Sequence, residues 1–527
     1  MNTPLPATGQ CLPLVRVLAD APEPHALFAV LTDRGTRRDT LLLESGDRST
    51  QQGEKSLLVT RAAVRLRCFG RDVEAAALNP NGTGLVAWLK ERLAGTAAVV
   101  ADEPGRLVLR FPPPPPGEDA ARLLAPSPAD ALRALVRGQS VVGDQSSLGP
   151  ILAGSFAYDF IDSCEALPPG KPALRPWPDY EFLLPDEMAW VNHRTHTTTV
   201  IAHVFGGPGA EAAYHDATAS IRKVAAAVET LQIHGEAPEA PATPGETARP
   251  APVADLSDAA YAACVRRMKE HIVAGDVIQI VPSRTFSVPC RQPFAAYRRL
   301  RAHNPSPYMF FLNGEHGVLF GASPETAVKV EGRPPRFEIR PIAGTRPRGF
   351  TAEGEIDPDL DNRLEAELRL SAKEVAEHMM LLDLARNDVA RVSRPGTRRV
   401  DRLLQVDRYS HVMHLVSRVS GELNEGMDGL HAYVAGMNMG TLVGAPKMKA
   451  AELLRLYEES RRGPYGGAVG YLAHDGSLDT CIVIRSAWVC DGVAHVRAGA
   501  GIVYDSDPDA EAAETRQKAE AVLKAIE

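Results

Sequence analysis

Short apolar or alternating segments, separated by turn-forming residues, follow one another through the first half of the chain. The segments Thr40–Glu44, Ser56–Thr60 and Arg106–Phe111 have the length and the flanking turn residues of strands. Thr197–Val204 alternates between polar and apolar positions, which predicts another strand, and it leads into a helical pattern at about Ala210–Leu231.

The second half of the chain adds helices with recognisable ends. Ser257 is a suitable N-cap for a helix that Gly275 ends, and an apolar strand, Val277–Val281, is expected next. Long helices are predicted at Glu365–Asp383 and Asp509–Glu527. Strands and helices therefore mix in both halves without the strict alternation of a doubly wound sheet, which predicts an α+β fold.

Composition narrows the class of protein. The chain has 527 residues, enough for two to four domains, and its 44% hydrophobic and 24% charged residues are typical of folded proteins. A net charge of −8 gives no electrostatic footprint for nucleic acid, and no apolar run is long enough to span a membrane. Seven scattered cysteines and a first segment without signal-peptide layout lead us to expect a cytoplasmic protein without a disulfide framework.

Proline marks two irregular segments. Pro112–Pro116 is a run of prolines that predicts an exposed turn or spacer. Gly235–Pro252 is rich in Ala, Pro, Glu and Thr, which predicts a linker or a long surface loop and a domain boundary at about 235–255.

Two pairs of glutamates share one spacing. Glu374 and Glu377 form one pair, Glu511 and Glu514 the other, and on a helix each pair projects from a single face. Two such helices facing each other could hold Mg²⁺, which needs one or two protein carboxylates. A single pair is more often solvated helix charge, but Glu377 precedes a strongly apolar stretch, which indicates partial burial.

Glycine-rich turns cluster near the end of the chain, at 440–447, 465–471 and 498–502. None matches a phosphate-binding or dinucleotide-binding motif, and each alone is more often a tight turn or strand crossing. Arg485 lies in an apolar, strand-like run, Cys481–Ser486, which predicts a small carboxylate as its partner. A buried ion pair with a glutamate is the alternative.

Glu325 and His414 are further candidates. Glu325 follows the apolar Val318–Phe320 in a rigid turn, where burial would raise the pKa of the carboxyl and suit it to general acid catalysis. The alternative is a glutamate at the start of a helix. His414 has apolar neighbours and by itself is more typical of a core histidine.

Taken together, the motifs resemble the chorismate-utilising enzymes, most closely the members that make anthranilate. The matching segments occur in the family's order: GDVIQIVPSR, NPSPYMFF, FGASPET, RPIAGTRPRG, KEVAEHMMLLDLARND, YSHVMHLVSRV, GTLVGAPKMKA, YGGAVGY, DTCIVIRSA and AGAGIVYDSDPDAEAAET. The resemblance implies two large antiparallel β-sheets packed as a sandwich with helices outside. It also implies that chorismate and ammonia react to give anthranilate and pyruvate.

The resemblance assigns roles to individual residues. Mg²⁺ would be bound by Glu377 and Glu514, with Glu374 and Glu511 behind them through water. Glu325 would protonate the departing hydroxyl. Thr345 and Thr441 would orient the ring, and His414 would line the ring and assist the loss of pyruvate. The remaining substrate-binding positions are Tyr465, Arg485, Gly499, Ala500, Gly501 and Lys518.

Two positions separate the possible products. Family members that use water carry Lys at the position of Gln279, and those that make 4-amino-4-deoxychorismate carry Lys at the position of Ala343. The first difference favours ammonia as the nucleophile, the second favours direct amination at C2, and both agree with anthranilate as the product. An enzyme that stops at 2-amino-2-deoxyisochorismate and a silent tryptophan-sensing subunit are the alternatives. Because no cysteine lies in an amidotransferase motif, we expect a separate glutamine amidotransferase subunit.

The resemblance also predicts a regulatory site for tryptophan. It divides the chain into a regulatory region at 1–235, a connection at 236–255 and a chorismate-binding region at 256–527, interlocked rather than independent. The expected tryptophan-binding residues come from distant segments: Leu43, Glu44, Ser45, Lys55, Pro307, Tyr308 and Met309.

Overall fold

The computed structural model describes residues 5–46, 54–116, 119–143, 148–234, 251–409 and 412–526. Most of the predicted linker, 235–250, lies outside these residues. Pro112–Pro116 has no helix or strand, as expected.

The strands β1 to β25 are, in chain order, Gln10–Leu18, Thr40–Glu44, Lys55–Phe69, Asp72–Ala77, Ala98–Glu103, Arg106–Arg110, Ser140–Val141, Ile151–Phe156, Tyr180–Asn192, Thr197–Phe205, Val253–Ala254, Gln279–Ile280, Ser283–Pro289, Tyr308–Asn313, Val318–Ser323, Thr326–Glu331, Arg336–Ile339, Ile342–Pro347, Arg399–Arg408, Val412–Glu422, Gly444–Ala445, Ala468–Ala473, Leu478–Ile482, Ser486–Cys490 and Val493–Gly499. The helices α1 to α13 are Pro24–Leu31, Pro80–Arg92, Asp119–Leu124, Ala129–Arg137, Ala210–His234, Asp258–Val273, Pro293–His303, Pro358–Leu370, Ala372–Val392, Gly429–Gly436, Gly440–Val443, Lys447–Tyr457 and Pro508–Ile526.

Two sheets part at the long strand β9. One edge of β9 pairs with β3, while the other edge pairs with β10 through Glu187–Asn192 and with β8 through Tyr180–Leu183. One sheet continues from β3 through β2, β14, β15, β24 and β25, and the other from β8 through β22, β23, β16, β17 and β20. These pairings are antiparallel, whereas β1 and β7 run parallel. Register shifts in β3 between Val59 and Val64 let that strand bend where the sheets diverge.

Alternate residues of the first sheet face two different cores. Leu41 and Phe310 point into the core between the sheets, together with Val469 of the second sheet. Their neighbours Leu42 and Phe311 point into a second core that α1, α5, α7 and α13 cover from outside. The expected α+β fold, a sandwich of antiparallel sheets with helices outside, is confirmed.

The N-terminal and C-terminal segments share both sheets. In the first sheet Glu44 lies opposite Met309, and in the second Gly154 lies opposite Gly470. The end of the predicted connection also joins a sheet, because Val253–Ala254 pairs with β13. The division into a regulatory and a catalytic region stays a prediction, but the segments are interlocked.

Several helix and strand boundaries agree with the pattern in the sequence. Strand β2 has the predicted bounds, and Ser257 caps α6 by accepting a hydrogen bond from the Ala260 N–H at 3.2 Å. Gly275, just past that helix, has φ +81°, a conformation that glycine adopts without strain.

Four local predictions were wrong. The predicted helix Glu365–Asp383 is two helices that meet at Ser371, whose non-helical backbone and capping hydroxyl begin α9. The run Cys481–Ser486 is not one strand, because Arg485 has φ +49° and separates β23 from β24. Val277–Val281 contains only the two-residue strand β12, and the first glycine-rich turn contains a short helix, α11.

Candidate active site

The four predicted metal-binding carboxylates share one space. Glu374 and Glu377 lie near the start of α9, and Glu511 and Glu514 near the start of α13. Burial raises the pKa of Glu377 and, although the charge of Lys373 opposes the shift, the charges of the other three carboxylates raise it further. The pKa of Glu511 is raised by burial and by Glu514. A divalent cation would relieve this repulsion.

Two of these carboxylates already have cationic partners. Arg346 Nη1 lies 3.1 Å from Glu374 Oε1, and Lys518 Nζ lies 2.7 Å from Glu514 Oε1. Within the described ranges no group of three or more His, Cys, Asp and Glu side chains is arranged so that it could hold a metal ion. Glu377 and Glu511 form no ion pair there, whereas a cation bound by Glu377 and Glu514 would replace Lys518 as the partner of Glu514. Two carboxylates with water are a suitable donor set for Mg²⁺.

Glu325 occupies the turn between β15 and β16 and does not start a helix. Thr441 Oγ1 donates a hydrogen bond of 3.2 Å to Glu325 Oε1. Burial raises the pKa of Glu325 to about 8, although the Thr441 hydrogen bond and the charge of Lys518 oppose the shift. The carboxyl is therefore mostly protonated at neutral pH and can serve as an acid.

His414 and Thr345 lie opposite each other on β20 and β18. His414 Nδ1 lies 2.9 Å from Thr345 Oγ1 and 3.2 Å from the Gly344 carbonyl oxygen. Burial lowers the pKa of His414, and the charge of Arg485 also lowers it. The imidazole is half-buried and neutral at pH 7, so it belongs to this site rather than to the core.

Arg485 is a half-buried cation, and burial lowers the pKa of its guanidinium. In the part of the chain that the structure describes, no glutamate or aspartate pairs with it, so the alternative of a buried ion pair does not hold. Its left-handed backbone conformation lies between two strands. A desolvated arginine without an anion suits a carboxylate ligand.

The last glycine-rich turn contacts the same region. Lys518 Nζ donates to the Gly499 carbonyl at 3.1 Å, and the Gly499 N–H hydrogen-bonds the Tyr465 hydroxyl. The Ala500 N–H donates to the Tyr261 hydroxyl at 3.2 Å. Two of the backbone N–H groups predicted to hold a carboxylate are thus engaged within the protein, which favours Gly501 as the remaining donor.

Gln279 borders this turn. A Cβ atom at Gly501 would lie 2.6 Å from Gln279 Nε2, so the amide of Gln279 packs directly against the backbone of this turn. Gln279 Oε1 is buried and has no hydrogen-bond partner among the described residues. An acceptor of this kind is available to a ligand with N–H groups.

The predicted site residues are connected. Lys518 links Glu325, Glu514 and Gly499 by charge or hydrogen bond, and Arg485 lies close enough to His414 to affect its pKa. Sequence reasoning missed Arg346 as the partner of Glu374. Its position in the matching segment RPIAGTRPRG was the available signal.

A second cavity, of about 580 Å³, lies between the two sheets. We call it the inter-sheet cavity. Its wall includes every residue expected to bind tryptophan: Leu43, Glu44, Ser45, Lys55, Pro307, Tyr308 and Met309. Glu44 is buried, accepts a hydrogen bond from the Tyr297 hydroxyl and forms an ion pair with Arg301, whose Nε lies 3.1 Å from Glu44 Oε1. Burial raises its pKa, and both partners oppose that shift.

Comparison with known proteins agrees with this site. The family model described as chorismate binding enzyme matches residues 117–524. The chain therefore belongs to the chorismate-binding enzymes, as the motifs predicted.

Within that family the related proteins are components of anthranilate synthase. The chain is 49% identical over 506 residues to anthranilate synthase component 1 of Vibrio cholerae, covering 96% of this chain and 94% of the relative. It is 50% identical over 490 residues to the pyocyanine-specific anthranilate synthase component 1 of Pseudomonas aeruginosa, covering 92% and 89%. Anthranilate synthase activity is the function that these full-length matches support.

Solved structures share the fold. Anthranilate synthase component I from Streptococcus pneumoniae superposes with a TM-score of 0.66 at 25% identity, covering 90% of this chain and 93% of that one. The menaquinone-specific isochorismate synthase of Escherichia coli superposes with a TM-score of 0.64 at 17% identity, covering 100% and 97%, which shows the fold alone. None of the described helices is long and apolar enough to cross a membrane.

Proposed function

We propose that the chain converts chorismate and ammonia to anthranilate and pyruvate, and that it does so in the cytoplasm. The observation that carries this proposal is the position of Glu325, whose carboxyl is mostly protonated at neutral pH, in one site with four carboxylates and with Arg485, which has no acidic partner among the described residues. A protonated acid suits the loss of a hydroxyl group as water.

Each residue has a part in this reaction. Ammonia adds to the ring at C2 while Glu325 gives its proton to the departing hydroxyl at C4, and water leaves. The enolpyruvyl carboxylate is held by Arg485, and the Tyr465 hydroxyl and the Gly501 N–H complete its binding. Neutral His414, aligned by Thr345, lines the ring and assists the loss of the C2 proton and of pyruvate.

The glutamates support Mg²⁺ as the cofactor. Glu377 and Glu514 would hold the ion, with Glu374 and Glu511 behind them through water. When bound, Mg²⁺ supplies a positive charge for the ring carboxylate of chorismate. Lys518 and Arg346 keep Glu514 and Glu374 in place in its absence.

Ammonia is the nucleophile that the chain itself can use. The relatives are named component 1, which implies a second component, and we propose a glutamine amidotransferase for that part. Burial raises the thiol pKa of Cys264 to about 11 and of Cys164 to about 12, so neither of these two cysteines is a thiolate nucleophile at neutral pH.

The inter-sheet cavity is the proposed site of feedback inhibition by tryptophan. The cavity is lined by the buried carboxyl group of Glu44, which suits the ammonium group of an amino acid, and by the aromatic side chains of Trp190 and Tyr471. The pyocyanine-specific name of one relative favours a second possibility, a related reaction in a secondary pathway, for which we expect no inhibition by tryptophan. Inhibition of the purified chain by tryptophan distinguishes the two.

The test of the reaction uses the purified full chain. Chorismate, Mg²⁺ and ammonium should give anthranilate fluorescence and an equal amount of pyruvate, whereas glutamine should replace ammonium only with the second component present. Glu325→Gln should lower kcat by about 10²- to 10⁴-fold while chorismate still binds. Normal turnover by Glu325→Gln would contradict the assigned role, and an aminated product without pyruvate would favour the 2-amino-2-deoxyisochorismate alternative.

A further inference from the structure

Tyr308 connects the inter-sheet cavity to the segment that carries the catalytic acid. Its ring lines the cavity, and its hydroxyl donates to Asp479 Oδ1 at 3.1 Å. The same hydroxyl oxygen lies 3.0 Å from Thr326 Oγ1. Since the phenol has one proton, which goes to Asp479, the Thr326 hydroxyl donates to Tyr308.

Thr326 directly follows Glu325 and begins β16. The pairing of β16 with β23 is irregular between Thr326 and Val328, so the backbone here is not held by a regular ladder. Glu325, Thr326 and Thr441 also line a small cavity of about 20 Å³. The Glu325 segment therefore has room for a small displacement, and the side chain of Thr326 helps to determine where it lies.

A backbone contact connects the same two places. Cys481 lines the inter-sheet cavity and lies opposite Thr326 in the β16–β23 pairing. The next residue, Ile482, donates its N–H to the Glu325 carbonyl oxygen at 3.0 Å. The acid is thus tied to two strands of the cavity wall, β14 through Tyr308 and β23 through Ile482.

We propose that the hydrogen bond between Tyr308 and Thr326 transmits occupancy of the inter-sheet cavity to the Glu325 carboxyl. A ligand that moves the Tyr308 ring changes the position of Thr326, and the Glu325 carboxyl then shifts relative to Thr441 and to substrate. Thr326 is accordingly a positioning residue. This inference rests on the proposed regulation by tryptophan and names the contact through which that regulation acts.

The test compares Thr326→Val with Thr326→Ser in the full chain. The valine variant keeps the shape and removes the hydroxyl, whereas the serine variant keeps the hydroxyl. Two quantities are measured separately, the Kd of L-tryptophan by calorimetry and the ratio of the ammonia-dependent rates without and with saturating tryptophan. We expect Thr326→Val to bind tryptophan within about threefold of wild type, while that ratio falls at least fivefold toward one. Thr326→Ser should keep the wild-type ratio.

Two further variants complete the design. Tyr308→Phe should lower the ratio as Thr326→Val does. The ratio of the double variant should be no lower than that of either single variant, because both substitutions remove the same hydrogen bond. Tyr471→Phe is the matched control. It lines the same cavity, its hydroxyl has no hydrogen bond among the described residues, and it should keep the wild-type ratio at saturation.

The outcomes distinguish a failure of this inference from a failure of the proposed inhibition by tryptophan. If tryptophan neither binds nor inhibits the wild-type chain, the proposed regulation is wrong and this inference with it. If wild type is inhibited and Thr326→Val is inhibited equally at saturation, the regulation stands and the inference is overturned. Loss of inhibition in Thr326→Val through loss of tryptophan binding would likewise overturn it.

Discussion

Thr441 donates a hydrogen bond to Glu325 across 3.2 Å, joining the short helix α11 to the turn between β15 and β16. The bond stabilises the charged form of the Glu325 carboxyl, whose pKa burial nevertheless raises to about 8. Thr441 thus helps to set the pH above which the acid loses its proton.

The pH at which kcat falls on the alkaline side should depend on this hydrogen bond. As a general acid, Glu325 is active while protonated, so kcat should fall as pH rises through about 8. Thr441→Val removes a hydrogen bond that lowers the pKa of Glu325. The fall of kcat should therefore move to higher pH by about half a unit to one unit. The measurement is kcat against pH at constant free ammonia. Thr441→Ser should keep the wild-type limb, and a shift to lower pH in the valine variant would contradict the assignment.

Magnesium dependence should respond to the carboxylate cluster. Glu511→Gln removes one of the carboxylates that repel Glu377, and we expect the Mg²⁺ concentration for half-maximal rate to rise about 10- to 100-fold. Chelation of Mg²⁺ should abolish anthranilate formation in wild type. Glu367→Gln, an exposed glutamate on α8, is the control and should leave Mg²⁺ dependence unchanged. Equal dependence in both variants would exclude Glu511 from the metal site.

Stability should depend on a buried ion network beside the active site. Glu458 pairs with Arg462 at 2.7 Å and Arg497 at 3.0 Å, and all three residues are buried. Although burial opposes it, the two arginines lower the pKa of Glu458, so its contribution is present at neutral pH and is lost as pH falls through that lowered value. Glu458→Ala leaves two buried cations unpaired and should destabilise the chain by about 3–5 kcal/mol.

The neighbouring residue provides the control for this prediction. Glu459 pairs with Lys171 at 3.6 Å, and about half of its side chain is exposed. Glu459→Ala should cost no more than about 1 kcal/mol in denaturant unfolding at neutral pH. Equal losses of unfolding free energy in Glu458→Ala and Glu459→Ala would show that burial of the ion network does not determine its contribution to stability.

Tryptophan inhibition should be sensitive to Ser45. Ser45 is 3% exposed and lines the inter-sheet cavity, so Ser45→Phe places a larger side chain in the space proposed for tryptophan. Overpacking of about 1–3 kcal/mol corresponds to a rise of about 5- to 150-fold in the tryptophan concentration for half-inhibition. The inhibited rate of each variant is compared with the rate of the same variant without tryptophan. The tryptophan concentration for half-inhibition of Ser45→Ala should stay close to that of wild type. An unchanged inhibition curve for Ser45→Phe would exclude this cavity.

Some elements could be predicted from local sequence because their cause is local. Ser257 caps its helix with its own hydroxyl, and the spacing of Glu374 and Glu377 puts both on one helix face whatever surrounds them. Local patterns failed where two local preferences compete. The apolar run around Arg485 favours a strand, but the arginine takes a left-handed backbone conformation, and Ser371 begins a new helix inside a continuous helical pattern.

By itself, the sequence determined the family, the α+β class and the residue types that the chemistry requires, because motif spacing and capping are properties of neighbouring residues. The tertiary structure decided how far these residues are buried, which charges surround them and which of them meet. It partly buried Glu325 and raised the pKa of its carboxyl, left Arg485 without an anion among the described residues, and brought Ser45 and Met309 to one cavity. Burial and charge at each of these positions come from segments far away along the chain, so no local pattern could supply them.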